Sequence, residues 1–311
     1  MSNQTLVKKK RKTMWTGTTF GDKIYLSIVY TVIVLVCIAC VYPMYLTVVA
    51  SISDPYDVYN GKAFLWPSGL SIESYKLVFA NESIWTGYAN SIFYTVVGTL
   101  FNLFLTIPCA YAMSKRNLYG RSIFSTFFLI SMYFGGGMVP TYILIRNLGL
   151  IDTRTVLWIT GGISVYNMIV ARTYFQNNIP ETLFEAARID GANEFLVFFK
   201  LVLPLSMPII AVITLYYAVG HWSSYFGAMI YTSNPDYAPL QLVLRKILIQ
   251  NQSMFEDITD PEMIADMARR AYQALSMKYS LVFISSAPML IIYPFVQKYF
   301  VKGVMVGSVK G

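Results

Sequence analysis

Charge is scarce in this chain. Only 13 % of its 311 residues are Asp, Glu, Lys or Arg, where a soluble domain carries about 25 %. Histidine occurs once and cysteine three times. A single histidine cannot furnish a persuasive Ser/His/Asp set, and no His/Cys/Glu spacing suggests a metal site. A G-x-x-x-x-G-K-[ST] phosphate loop is absent, which excludes nucleotide binding by that route. Acidic residues are nearly missing from the apolar runs. That speaks against an ATP-independent secondary carrier, which would be expected to place coupling-ion carboxylates there. It also speaks against a membrane-embedded transferase, which would need clustered acids or metal ligands at the membrane face. No Gly/Ser-rich linker or internal repeat divides the chain.

What the chain does have is apolar length. Hydrophobic residues make up 56 % of it, which places it in the membrane class. A crossing helix needs about 20 apolar residues, and six stretches qualify: Ile24–Ala50, Tyr88–Met113, Ser122–Ile145, Thr155–Phe175, Leu203–Tyr231 and Tyr279–Val301. The expected fold is an all-α integral membrane domain over residues 22–311, behind a basic cytoplasmic tail at residues 1–21. The first apolar run is too long for a signal-peptide core, and Pro43 and Tyr45 stand where small cleavage residues belong, so the run reads as an uncleaved first helix. With the N-terminus inside, the inner segments hold 15 basic residues against 5 acids and the outer segments 9 against 11. That is the positive-inside bias. It puts both termini in the cytoplasm, and the net charge of +8 then needs no nucleic acid partner. Cys37-x-x-Cys40 has redox spacing but lies inside a span, so both cysteines read as small apolar helix residues.

The outer loops contain a short helix at Ile72–Phe79, another at Pro239–Gln250, and a helix start at Thr259-Asp260-Pro261-Glu262. Met263, Ile264, Met267, Ala271 and Leu275 make one face of that last helix. It lies on the protein or bilayer, or docks an external partner. Gly135-Gly136-Gly137 followed by Pro140 predicts a helix break in the third span. Irregular backbone at that depth lines a cavity or is packed against protein.

The most informative stretch runs from Glu185 to Pro204, between spans four and five. Asn178 reads as an N-cap, with Pro180 just inside the helix and Glu181 in its first turn. Leu183, Phe184 and Ala187 give an apolar side, and Glu185 can pair with Arg188. Gly191 stands where a helix ends in the left-handed region, and an apolar helix resumes toward Pro204 and Pro208. The segment alone reads as two short helices around a glycine, either a handle for a partner or an amphipathic helix on the inner surface.

Glu185-Ala186-Ala187, Asp190-Gly191-Ala192, Phe198 and Pro204 resemble the EAA loop of ABC-importer permease subunits. Leu205, Pro208, Tyr217, Gly220, His221, Trp222, Tyr225 and the tail from Tyr293 to Gly303 resemble the carbohydrate-importing branch, in particular the subgroup serving complex oligosaccharides. The resemblance implies a bacterial cytoplasmic-membrane protein whose loop docks on a P-loop ATPase dimer. Glu185 would then pair with a basic group, Ala186 and Ala187 would allow close docking, Gly191 would permit the bend and Asp190 would cap or orient the second helix. A second homologous permease, an extracellular solute-binding lipoprotein and an oligosaccharide substrate complete the implied assembly. ATP and Mg would sit on the partner ATPase, with no cofactor on this chain.

Sugars are held by aromatic faces and hydrogen-bonding groups. Asn167 (beside Tyr166) in the fourth span, and Tyr216, Tyr217, His221, Trp222, Ser223, Ser224 and Tyr225 in the fifth, are candidates for the substrate path. His221 serves that role or an interhelical hydrogen bond, and Trp222 and Tyr225 serve it or an interfacial belt. Arg245, Lys246, Arg269 and Arg270 lie on the outer side, against the topology bias, and would suit an acidic oligosaccharide.

Overall fold

The computed structural model describes the backbone of residues 19–253 and 261–307. Side chains are described up to residue 249, from 272 to 294, and at Gln297. The faces assigned to Met263, Ile264, Met267, Ala271, Arg269 and Arg270 therefore lie outside the described side chains.

Among the described residues every regular element is helical. Helix α1 spans Phe20–Ser51, α2 Pro55–Tyr59, α3 Glu73–Phe79 and α4 Glu82–Ser114. Helices α5 (Arg121–Tyr133) and α6 (Met138–Asn147) follow, then α7 (Val156–Ile159) and α8 (Val165–Asn178). The next segment holds α9 (Glu181–Ile189), α10 (Glu194–Val197), a π-turn at Phe198–Val202 and α11 (Leu203–Leu205). Helices α12 (Met207–Ser223), α13 (Phe226–Tyr231), α14 (Leu240–Ser253) and α15 (Pro261–Gly307) complete the chain.

Helix α1 starts at a reciprocal cap. The Thr19 hydroxyl lies 2.7 Å from the Asp22 carboxylate, which also accepts the Thr19 N–H at 3.0 Å. Its apolar length is exposed until Val49, Ala50 and Ser51, where it meets α15. Helix α4 is the hub and packs on α8, α12 and α14. Its polar residues Asn90, Ser91, Asn102 and Thr106 are buried. Two cores result. One joins α4, α8 and the 197–217 segment around Tyr111, Met168, Phe175 and Ile213. The other joins α3, α14 and α15 to the opposite ends of α4 and α12, around Val78, Ile84, Trp222, Leu240 and Leu281.

Among the described residues three helices are long and apolar enough to cross a membrane, and five if each bent pair counts as one crossing. The first, second and sixth expected spans each fall within one continuous helix, and the fourth and fifth depart from expectation. The third breaks at the glycine triplet, as its glycines predict, and the halves α5 and α6 bend by 112°. The fourth is interrupted at 160–164, where Gly161 adopts φ +78°, so α7 and α8 are separate helices. The fifth breaks twice: at Ser206, where the chain bends by 80°, and at Ser224 and Tyr225, between α12 and α13. Pro204 explains the irregularity before the first break. It has no N–H for a helical bond, and the ladder slips to a π-turn in which the Leu203 N–H reaches the Phe198 carbonyl. The expected outer helix and the sixth span are one continuous helix, α15.

Candidate functional site: a projecting helical loop and a buried polar clamp

Helix α9 begins behind Pro180, which is its N-cap. Asn178 belongs to the preceding helix instead, where its amide donates to the Tyr174 carbonyl at 3.1 Å. Proline supplies φ near −65° at no cost, and no side chain caps this end. Phe184 and Ala187, three residues apart, turn inward onto the first core. Glu185, Ala186, Ile189 and Asp190 turn outward.

The helix ends in a Schellman motif. Gly191 sits at φ +76°. Its N–H reaches the Arg188 carbonyl at 3.0 Å, and the Ala192 N–H reaches the Ala187 carbonyl at 2.9 Å. A left-handed residue is required here, and glycine adopts that region without a Cβ penalty. Asp190 is the C-cap of this helix. The second helix is capped by Asn193, whose side chain accepts the Leu196 N–H at 2.8 Å. That corrects the capping role expected of Asp190.

Arg188 does not pair with Glu185. It meets Glu194 at 3.3 Å, and Glu194 also takes the Tyr111 hydroxyl at 2.9 Å and Lys115 at 3.5 Å. Lys115 in turn lies over the Phe184 ring, 3.6 Å from its centroid. Burial pushes the Glu194 carboxyl up, but Tyr111, Lys115 and Arg188 together outweigh it and leave the group below its ordinary value. Burial holds Lys115 below its ordinary value despite the pull of Glu194. Glu194 thus ties both short helices to the end of α4. Its role went unread because its partners lie 83 and 79 residues away in sequence, at Tyr111 and Lys115. The outer surface of this braced loop carries Ile189, 87 % exposed, and Phe195, 78 % exposed.

The other polar assembly is buried in the bundle. Asn102 donates to the carbonyls of Gly161 and Gly162 at 3.2 and 2.9 Å. Its Oδ1 accepts from the His221 Nε2–H at 2.6 Å. The Tyr217 hydroxyl lies 2.7 Å from Thr106 and accepts the Ser164 N–H at 2.9 Å. These side chains satisfy the backbone freed where the fourth span breaks, which is what irregular backbone in an apolar bundle demands. Gly98 faces the His221 ring so closely that a Cβ there would lie 2.5 Å from it.

Of the expected path residues, Asn167 and Tyr217 are buried. Trp222 is buried as well and donates its indole N–H to the Ser285 carbonyl at 3.0 Å. His221 makes an interhelical hydrogen bond. Tyr225 stands apart at the helix break, 38 % exposed, with the Arg245 guanidinium 5.1 Å above its ring. Tyr217 and His221 therefore belong to the clamp with Thr106, Ser164 and Asn102, Trp222 lies in the second core, Asn167 is buried on α8, and Tyr225 lies apart from all of them.

A hub helix with buried polar residues, broken neighbouring spans with satisfied polar breaks, and a projecting helical loop define a helical membrane component. Comparison with known proteins makes this specific. The family described as "Binding-protein-dependent transport system inner membrane component" matches residues 83–306, and the chain belongs to it. It is a permease subunit of an ABC importer, with ATP hydrolysis on a separate subunit, and the secondary-carrier and transferase alternatives fall away. The chain is 34 % identical over 290 residues to the polygalacturonan/rhamnogalacturonan transport system permease protein YtcP of Bacillus subtilis, covering 93 % of this chain and 99 % of that one. It is 36 % identical over 275 residues to protein LplC of the same organism, covering 86 % and 89 %. The crystal structure of a bacterial ABC transporter involved in the import of the acidic polysaccharide alginate matches with a TM-score of 0.81 at 32 % identity, over 91 % of this chain and 99 % of that one.

Proposed function

We propose that this chain is one of two related permeases in a bacterial cell-membrane importer for acidic oligosaccharides, coupled to its ATPase through residues 181–203. The observation that carries the coupling is the braced loop with Ile189 and Phe195 exposed at its surface. Apolar side chains on a rigid projection favour a protein partner over water. Glu185 offers a charge to a basic group on the ATPase, Ala186 allows close approach, and the Gly191 turn sets the angle between the two helices. Ala187 and Ala192 act from the other side, by letting the loop sit close on the bundle. Closure of the ATPase pair on ATP moves the permeases from inward-open to outward-open, with six crossings and both termini in the cytoplasm. The exposed faces of α1, α5 and α6 are available to lipid and to the second permease.

The acidic substrate is supported by the names of the similar proteins, since a galacturonan and alginate both carry uronate carboxylates. Tyr225 and Arg245 supply a ring face and a guanidinium at the helix break, which suits a charged sugar. An external binding protein would deliver the oligosaccharide. The test is the ATPase rate of the reconstituted complex with its binding protein, measured with uronate oligosaccharides and with neutral ones of equal length. Stimulation by the uronates alone is expected. Equal stimulation by both would overturn the acidic reading.

A further inference from the structure

The end of α4, the turn into α5, the end of α8 and the first turns of α9 enclose a cavity of about 450 Å³. Lys115, Arg116, Arg121 and Arg188 line it, against one lining carboxylate, Glu181. Lys115 and Arg188 already share Glu194. Arg116 and Arg121 have no ion pair or side-chain hydrogen bond among the described residues. One turn before the α8 residues that line the cavity, the Arg172 Nε is buried without a partner. The excess of positive charge is thus gathered around an open volume rather than spread over a surface.

The local backbone adds to it. Helix α5 starts behind Gly120 with no side-chain cap, and Arg121 occupies its first turn. A cation at the positive end of a helix is unfavourable unless an anion sits nearby. Helix α9 likewise has no side-chain cap at Pro180. Both starts contribute to the cavity, through Arg121 and Glu181.

We propose that this cavity binds a phosphate-bearing anion, taken from an acidic phospholipid headgroup or from a soluble phosphorylated compound. Bidentate guanidinium contact from Arg116 and Arg121 suits phosphate geometry. The bound anion ties the α4–α5 turn to α9, so it conditions how firmly the projecting loop is seated. The lipid source requires this face to lie at the inner leaflet, as proposed above, and the soluble source does not.

The test uses the intact transporter in phosphatidylcholine nanodiscs. One arm adds phosphatidylglycerol and measures retained lipid by native mass spectrometry. The other titrates inorganic phosphate and glycerol phosphate at constant ionic strength, with chloride as the control, and reads the apparent thermal midpoint. Binding in the lipid arm alone identifies a headgroup, and binding in the soluble arm alone identifies a free phosphate compound. Replacing both arginines, Arg116→Gln with Arg121→Gln, is expected to weaken binding by about tenfold or more, because two charge-assisted contacts are lost. No binding above control in either arm, or undiminished binding in the double variant, overturns the proposal. If the double variant does not assemble, Glu181→Gln decides. Removing the one lining carboxylate is expected to raise anion affinity, and unchanged or lower affinity overturns the proposal.

Discussion

Gly98→Ala tests the polar clamp directly. The added methyl would lie 2.5 Å from Cε1 and Nε2 of His221 and 2.9 Å from Cδ2, well inside van der Waals contact. The ring cannot swing away freely, because Nε2 is held 2.6 Å from the Asn102 side chain. Asn102 is fully buried and already committed to the carbonyls of Gly161 and Gly162. Overpacking a tight site costs about 1–3 kcal/mol, and losing an interhelical hydrogen bond costs about 0.6–1.5 kcal/mol. Alanine recovers up to about 1 kcal/mol as the better helix former. The net expectation is about 1–3 kcal/mol of destabilisation, by the same balance of terms. Reversible unfolding of the purified protein in mixed micelles would measure it. The decisive comparison is the same substitution in a His221→Ala background, where the clash is gone. There Gly98→Ala should be neutral or mildly stabilising, for a coupling of about 2 kcal/mol between the two sites. An equal cost in both backgrounds would refute the clamp, because the damage would then have nothing to do with His221.

Gly191→Val forces a β-branched residue into φ +76° at a cost of about 1–2 kcal/mol, so the protein should still insert while the ATPase is lost on purification. Normal transport and co-purification would contradict the coupling reading. Burial raises Glu194, but Tyr111, Lys115 and Arg188 outweigh it and hold the carboxyl below its ordinary value, so the stability it contributes is present above that ordinary value and is lost as pH falls through the depressed one. The thermal midpoint should therefore step down below about pH 4.3, and Glu194→Gln should lower the midpoint near neutrality and shrink that step. An unchanged step would assign it to another group. Asn193→Ala removes the cap of α10 and should cost about 0.5–2 kcal/mol, seen as faster amide exchange at 194–197 with α9 unaffected. Uniform loosening of both helices would mean that they form one cooperative unit. Arg245→Gln should lower ATPase stimulation by uronate oligosaccharides while leaving basal hydrolysis intact, and unchanged stimulation would remove Arg245 from the substrate path.

Several local features were readable because their causes are local. The first two spans follow from uninterrupted apolar length, and the glycine triplet marks the break between α5 and α6. The left-handed turn at Gly191 follows from a glycine placed where the helical pattern stops. The helix expected at Pro239–Gln250 forms over Leu240–Ser253, behind a proline that suits a helix start. The breaks at 160–164 and at Ser206 carry local signals, the Gly161-Gly162 pair and Pro204 with Pro208, but the apolar length on either side reads as one crossing in each case. The freed backbone is satisfied by a distant side chain at the first, Asn102, and by the local slipped ladder before Pro204 at the second. Glu194 looked like one more exposed acid on an amphipathic helix, and only the approach of Tyr111, Lys115 and Arg188 distinguishes it.

By itself, the order of residues determined that this chain is helical, lives in a bilayer, carries a polar handle between its fourth and fifth apolar stretches, and contains no nucleotide-binding motif of its own. Those properties depend on composition and on spacings of a few residues. The tertiary structure alone decided which polar residues are structural. His221, Tyr217 and Trp222 spend their hydrogen bonds on backbone and side chains brought from 53 to 119 residues away. An apolar bundle offers no water for those groups, so their partners had to come from wherever the fold could place them.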